Sequence, residues 1–73
     1  MKFGIYKHNK TGNLYQVLHV AKHTETSEQF VVYKRCTNEN IWVRPYDMFN
    51  EIIELDGKHV PRFEYQHETK ERK

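Results

Sequence analysis

Apolar and polar residues alternate with a period of two along most of this chain, and turn-forming residues break the alternation at short intervals. Phe3 to His8 alternates and predicts a first strand. Asn9-Lys10-Thr11-Gly12 follows, a turn of residues that bond their own backbone or tolerate the left-handed region. A loop of that length pairs His8 with Asn13 and Tyr6 with Tyr15. Leu14 to Lys22 is a second strand, apolar enough for burial on much of both faces. Thr24 to Glu28 is a polar connection. Phe30-Val31-Val32-Tyr33 is the strongest β signal, and the strand it starts runs on to Cys36. Thr37-Asn38-Glu39-Asn40 turns the chain again, and Ile41 to Arg44 forms a fourth strand.

Pro45 cannot donate to a ladder, so the fourth strand ends there or lies at an edge. Tyr46 to Asn50 has room for a single helical or 3₁₀ turn, with Met48 and Phe49 directed to the core. Glu51 to Leu55 is a fifth strand. Asp56-Gly57 is a two-residue type I′ hairpin signal, and Lys58 to Tyr65 returns, with Pro61 marking an edge or bulge. Gln66 to Lys73 is charged and aperiodic, which predicts a frayed tail. The expected organisation is one domain over 1–65 and a charged flexible tail over 66–73. The expected fold is all-β: a single small SH3-like barrel of five to six short antiparallel strands with one short helical or 3₁₀ turn. The expected core is Ile5, Val17, Val20, Val32, Val43, Phe49, Ile53, Val60 and Phe63. The faces of the second and third strands stay open, because a slip of one residue exchanges every side chain.

A chain of 73 residues buries only about 60% of the surface its unfolded form exposes, so it must pack efficiently. Cys36 is the sole cysteine, which excludes disulfide staples and suits a reducing compartment. Its place at the end of an apolar run predicts a buried, inert thiol. The N-terminus lacks the apolar core of a signal peptide, and no apolar run approaches a membrane span. A soluble, cytoplasmic protein with no membrane partner is expected. Twelve Lys and Arg against ten Asp and Glu leave a formal charge of +2, which permits a nucleic-acid partner without arguing for one.

Ile41-Trp42-Val43-Arg44-Pro45 carries the only tryptophan. On a strand Trp42 and Arg44 share one face, and Ile41 and Val43 share the other. If the aliphatic pair takes the core, Trp42 and Arg44 lie on the outer face, where an indole beside a guanidinium can stack a base or hold a peptide. The competing reading is that Trp42 plugs the barrel end and Arg44 covers it with its stem. Tyr33, Lys34 and Arg35 on the neighbouring strand, with Lys7 and Lys10 from the first hairpin, extend this surface. Tyr6, Tyr15 and Tyr33 can line an aromatic groove of the kind SH3 domains use for extended peptides.

Five histidines, His8, His19, His23, His59 and His67, raise the question of a metal. His19 and His23 stand about 13 Å apart on a strand, too far to share one ion at Zn–N distances of about 2.0–2.1 Å. No CxxC or HExxH spacing exists, and no metal or other cofactor is expected. His23 with Glu25 can form an acid–base pair at a loop, since a neighbouring carboxylate favours the charged imidazole. A loop-ordering hydrogen bond explains the same residues, with Thr24 and Thr26 also serving the backbone. The scattered glycines form no phosphate loop.

Several stretches carry a resemblance: Gly4-Ile5-Tyr6-Lys7-His8, Tyr15-Gln16-Val17-Leu18, Val20-Ala21-Lys22-His23-Thr24-Glu25-Thr26 and Val31-Val32-Tyr33. Trp42-Val43-Arg44-Pro45, Met48-Phe49, Asp56-Gly57-Lys58 and Val60-Pro61-Arg62-Phe63 complete it. In this order, from Gly4 to Phe63, the chain resembles the bacterial and phage family catalogued as domain of unknown function 1653. The resemblance implies an SH3-type barrel and implies no activity. Three functional readings follow. The first is a non-enzymatic binding or accessory module for a protein or peptide segment, acting through an aromatic–basic surface with candidate residues Tyr6, His8, His23, Glu25, Tyr33, Trp42 and Arg44. The second is single-stranded nucleic-acid or nucleotide binding through the same surface. The third is a small hydrolase using His23 and Glu25, against which stands the want of a nucleophile or oxyanion site and of a cavity of about 300 Å³. The chain is therefore read as a non-enzyme, with its oligomeric state open.

Overall fold

The computed structural model describes residues 1–37 and 39–69. Seven strands and one helical turn follow in order: β1 Gly4–His8, β2 Leu14–Lys22, β3 Gln29–Arg35, β4 Ile41–Pro45, α1 Tyr46–Phe49, β5 Ile52–Leu55, β6 Lys58–Pro61 and β7 Phe63–His67. The all-β class expected from the alternation is correct. All ladders are antiparallel. β4-β3-β2-β1-β7 form one five-stranded sheet, and β5-β6 form a separate hairpin.

The turns follow their chemistry. Tyr6 lies opposite Tyr15, and the His8 amide donates to the Asn13 carbonyl at 2.8 Å, as the loop length requires. Asp56 and Gly57 both have positive φ, 54° and 77°, the signature of a type I′ turn. The β2–β3 turn closes through His23 N–H to the Glu28 carbonyl and Ser27 N–H to the His23 carbonyl, both 2.8 Å.

The expected return strand from Lys58 to Tyr65 is two strands, which raises the total to seven. Arg62 is the break: its amide donates to the Glu51 carbonyl at 2.7 Å, and its carbonyl accepts from the Asn9 amide at 3.0 Å. Before the break the chain pairs with β5; after it, with β1. β7 runs on to His67, so Gln66 and His67 belong to a strand rather than to the tail. Residues 70–73 of the expected tail, and Asn38 of the third turn, lie outside the described residues.

The core is aromatic. Tyr6, Val17, Val31, Tyr33, Phe49 and Phe63 are buried and packed together, with Tyr15, Tyr46 and Tyr65 against them. Val17, Phe49 and Phe63 were expected there. Ile5, Val20, Val32, Ile53 and Val60 are only half-buried, and Val43 is exposed. The cause is the face chosen by each strand. Ring packing around Phe63 and Phe49 turns Tyr6 of β1 and Val31 and Tyr33 of β3 inward, so their neighbours Ile5 and Val32 face out. In β2 a bulge between Val17 and His19 inserts Leu18 into the ladder. Tyr15 and Val17 lie opposite Arg35 and Tyr33, and Val20, past the bulge, lies opposite Val31. Odd positions face in before the bulge and an even one after it. Met48 of α1 is exposed while Phe49 is fully buried, because Tyr46 and Phe49, three residues apart, share the helix face turned to the core and Met48 lies off it. Cys36 sits in the turn after β3 and is exposed, not buried.

Candidate functional site

The inward face of β3 determines what β4 presents. Trp42 lies opposite Tyr33, and Arg44 lies opposite Val31, so Trp42 and Arg44 share the face that carries the core. This reverses the expected orientation, in which Ile41 and Val43 were inward. The aliphatic pair is instead on the outer side, and all of Ile41 (54%), Trp42 (50%) and Val43 (62%) are well exposed. Trp42 keeps half of its surface open to solvent on that face.

Tyr15, Tyr33, Arg35, Trp42 and Arg44 line an open pocket of about 260 Å³. Three strands build it. Tyr15 comes from β2, Tyr33 and Arg35 from β3, and Trp42 and Arg44 from β4. Tyr15 meets Tyr33 edge-on, with centroids 5.5 Å apart, and forms the wall with it. The Arg44 guanidinium carbon stands 5.5 Å from the Phe63 ring centroid, a cation–π contact, and Nε donates to the Tyr33 hydroxyl at 3.4 Å. These contacts hold the Arg44 guanidinium at the pocket by one face and one edge.

The local field is positive. His8 sits beside the pocket, edge-on to Phe63 at 4.7 Å and to Tyr15 at 6.3 Å. Burial holds its pKa below the usual imidazole value, and Arg44, Arg62 and Lys10 push it further down. Arg62 is paired with Glu51 at 2.9 Å. Arg35 and Arg44 have no carboxylate partner among the described residues. Two guanidiniums and a half-exposed indole on one concave face suit a ligand that joins a carboxylate or phosphate to a planar or apolar group.

The seven residues singled out in the sequence separate into three places. Tyr33, Trp42 and Arg44 meet in the pocket, and His8 adjoins it. Tyr6 is buried in the core behind it, and its hydroxyl donates to the Lys2 carbonyl at 2.6 Å. His23 and Glu25 lie at the other end of the β2–β3 hairpin from Tyr15 and Arg35. Their link is the Glu25 backbone amide donating to His23 Nδ1 at 3.1 Å, a contact that orders the loop. Tyr15 and Arg35 belong to the pocket although neither was among the seven. Their signal was parity: both share the face of Tyr33 once that residue is placed inward.

A larger open depression, about 530 Å³, lies between the start of β1, the β2 bulge and Glu68–Thr69. It gathers no like charges and only one ionisable side chain, Glu68, so it offers a ligand less than the Trp42 pocket does. Among the described residues no group of three His, Cys, Asp or Glu side chains is placed to hold a metal ion.

A family model described as "Protein of unknown function (DUF1653)" matches residues 4–65. A crystal structure of a protein belonging to DUF1653 from Bordetella bronchiseptica is similar throughout, with 29% identity and a TM-score of 0.82 over 99% of this chain and 95% of that one. No curated protein matches.

Proposed function

The chain belongs to the DUF1653 family of proteins of unknown function, and we propose that it is a non-enzymatic binding module that holds a protein or peptide segment at the Trp42–Arg44 pocket. The observation that carries this reading is the pairing of two arginines, free of carboxylate partners among the described residues, with a half-exposed tryptophan on the face that carries the core. A meander of four strands, a helical turn and a last strand returning to β1 support an SH3-like barrel as the scaffold. In such a barrel an aromatic face beside an open strand is a natural seat for an extended segment.

The site favours holding over reacting. Its side chains supply aromatic area and fixed positive charge, and among the described residues that line it no nucleophile is paired to a base. His8 stands at its margin, and the fields of three cations oppose its protonation. One exposed free cysteine suits a reducing interior, which supports a cytoplasmic setting, and the similar protein from Bordetella bronchiseptica supports a bacterial one. Among the described residues no helix is long and apolar enough to cross a membrane.

An indole beside two guanidiniums also suits a base and its phosphate, so single-stranded nucleic acid is the second reading. Salt separates the two. Trp42 is the sole tryptophan and reports on its own site. Its fluorescence should respond saturably to short acidic peptides and change little with a mixed-sequence single-stranded oligonucleotide. Saturable quenching by the oligonucleotide, reversed steeply by added salt, would replace the peptide reading with the nucleic-acid one. Loss of either response in Arg44→Ala assigns it to the pocket.

A further inference from the structure

β4 is an edge of the five-stranded sheet, with β3 on one side and no strand on the other among the described residues. An open edge presents unpaired backbone donors and acceptors, and proteins ordinarily guard it with charges, proline or a bulge. The opposite edge, β7, follows that rule. It carries Glu64, Gln66 and His67, all exposed, and its ladder with β1 is irregular at Ile5/Tyr6. β4 does not. Ile41, Trp42 and Val43 are three consecutive exposed apolar residues in its first half, and the guards, Arg44 and Pro45, come only at its end. A run of this kind on an edge signals a surface built to be covered.

We infer that β4 accepts an extended peptide as an added strand, and that the guest alternates acidic and β-branched residues. This rests on the proposed peptide-binding function and adds how the guest lies and what it carries. The alternation follows from β4 itself. Guest residues opposite Trp42 and Arg44 point to the pocket face, where two guanidiniums await a carboxylate. Those in between point to the outer face, beside Ile41 and Val43. β4 has five residues and spans about 17 Å, so the guest needs five to eight residues. A second copy of this chain fits the edge less well. Antiparallel pairing of β4 with itself would place the arginines of both copies on one face with no carboxylate to offset them.

The probe is a capped eight-residue peptide of alternating valine and glutamate, read by Trp42 fluorescence. Two analogues carry N-methyl groups on all valine amides or on all glutamate amides. In an added strand only alternate residues donate to the neighbour. One analogue should therefore bind at least tenfold more weakly than the parent while the other binds comparably. Val43→Lys should weaken the parent peptide at least tenfold with an unchanged Tm, since Val43 is exposed. If both analogues bind as the parent does, strand addition is wrong while peptide capture at the pocket stands. If the parent and its lysine-for-glutamate counterpart both fail to move the fluorescence, this inference is overturned. In that case the acidic-peptide and oligonucleotide titrations decide the broader reading separately. A concentration-dependent dimer that Val43→Lys abolishes would assign the edge to a second copy and overturn the inference as well.

Discussion

Phe49 lies flat on Phe63, with ring centroids 4.1 Å apart and planes 6° from parallel. Tyr6 and Tyr33 close on Phe49 edge-on, both with centroids 5.4 Å away. A helical turn of four residues thus supplies the central ring of the core. Truncating Phe49 to alanine should cost about 3–5 kcal/mol. The total stability of a domain this small is about 4–11 kcal/mol. Phe49→Ala should therefore lower the Tm followed by near-UV circular dichroism by at least about 12 °C, and an unchanged Tm would show that the core repacks around the gap.

Gly4 takes φ +146° where β1 meets β7, and a methyl group added there would stand 2.5 Å from the His67 carbonyl oxygen. That oxygen is backbone and cannot swing away. Gly4→Ala should lose about 1–3 kcal/mol, lowering Tm by at least about 4 °C. An unchanged Tm would mean that β7 can shift along β1 at no expense.

His8 ties stability to pH. Its pKa in the fold lies below the usual value near 6.5. Between those two values the unfolded chain binds more protons, so stability falls as pH drops through 6.5 toward the folded value. Above 6.5 the group contributes nothing to the slope. Urea midpoints at pH 7.5 and 5 should differ more in the wild type than in His8→Asn. Arg44→Ala should raise the His8 pKa followed by NMR, because it removes a nearby positive charge. A pKa that does not move would place the Arg44 charge outside the reach of His8.

Asn9 joins two parts of the molecule. Its side-chain amide donates to the Pro61 carbonyl at 2.7 Å and to Glu64 Oε1 at 3.2 Å, and its backbone amide donates to the Arg62 carbonyl. Asn9→Ala removes the first two bonds and should cost about 1–3 kcal/mol in urea unfolding. A loss below about 0.5 kcal/mol would show that water replaces both.

The hairpins were legible in the sequence because turn residues act locally. Thr11 and Gly12 close their loop on the His8 carbonyl beside them, Asp56-Gly57 turns by its own backbone preference, and Phe30 to Tyr33 announces a strand by composition alone. Which face each strand buries is a property of the assembled molecule. Val31 and Val32 are chemically identical neighbours, and only the ring packing of Tyr33 decides that Val31 is buried. The Leu18 bulge is equally silent in the pattern, yet it puts Val17 and Val20, three positions apart, on one side. The site was half visible for the same reason. Trp42 and Arg44 were found as an i, i+2 pair. Arg35 joins them as the i+2 neighbour of Tyr33, Tyr15 only through the register of β2 on β3, and the loop pair His23 and Glu25 is carried to the far end of that hairpin.

The break at Arg62 also sets a clock. β5 and β6 contribute no fully buried residue, and the backbone bonds that hang them on the rest of the molecule converge on Glu51, Asn9 and Arg62. The hairpin can therefore open as a unit while the sheet stays closed, because little apolar surface resists it. Amide hydrogens of Ile53 and Val60 should exchange with deuterium well before those of Val17 and Val31, and at a rate that denaturant barely changes. One small chain then keeps two times: a slow one in its aromatic centre, set by global unfolding, and a fast one in the hairpin, set by three residues at its root.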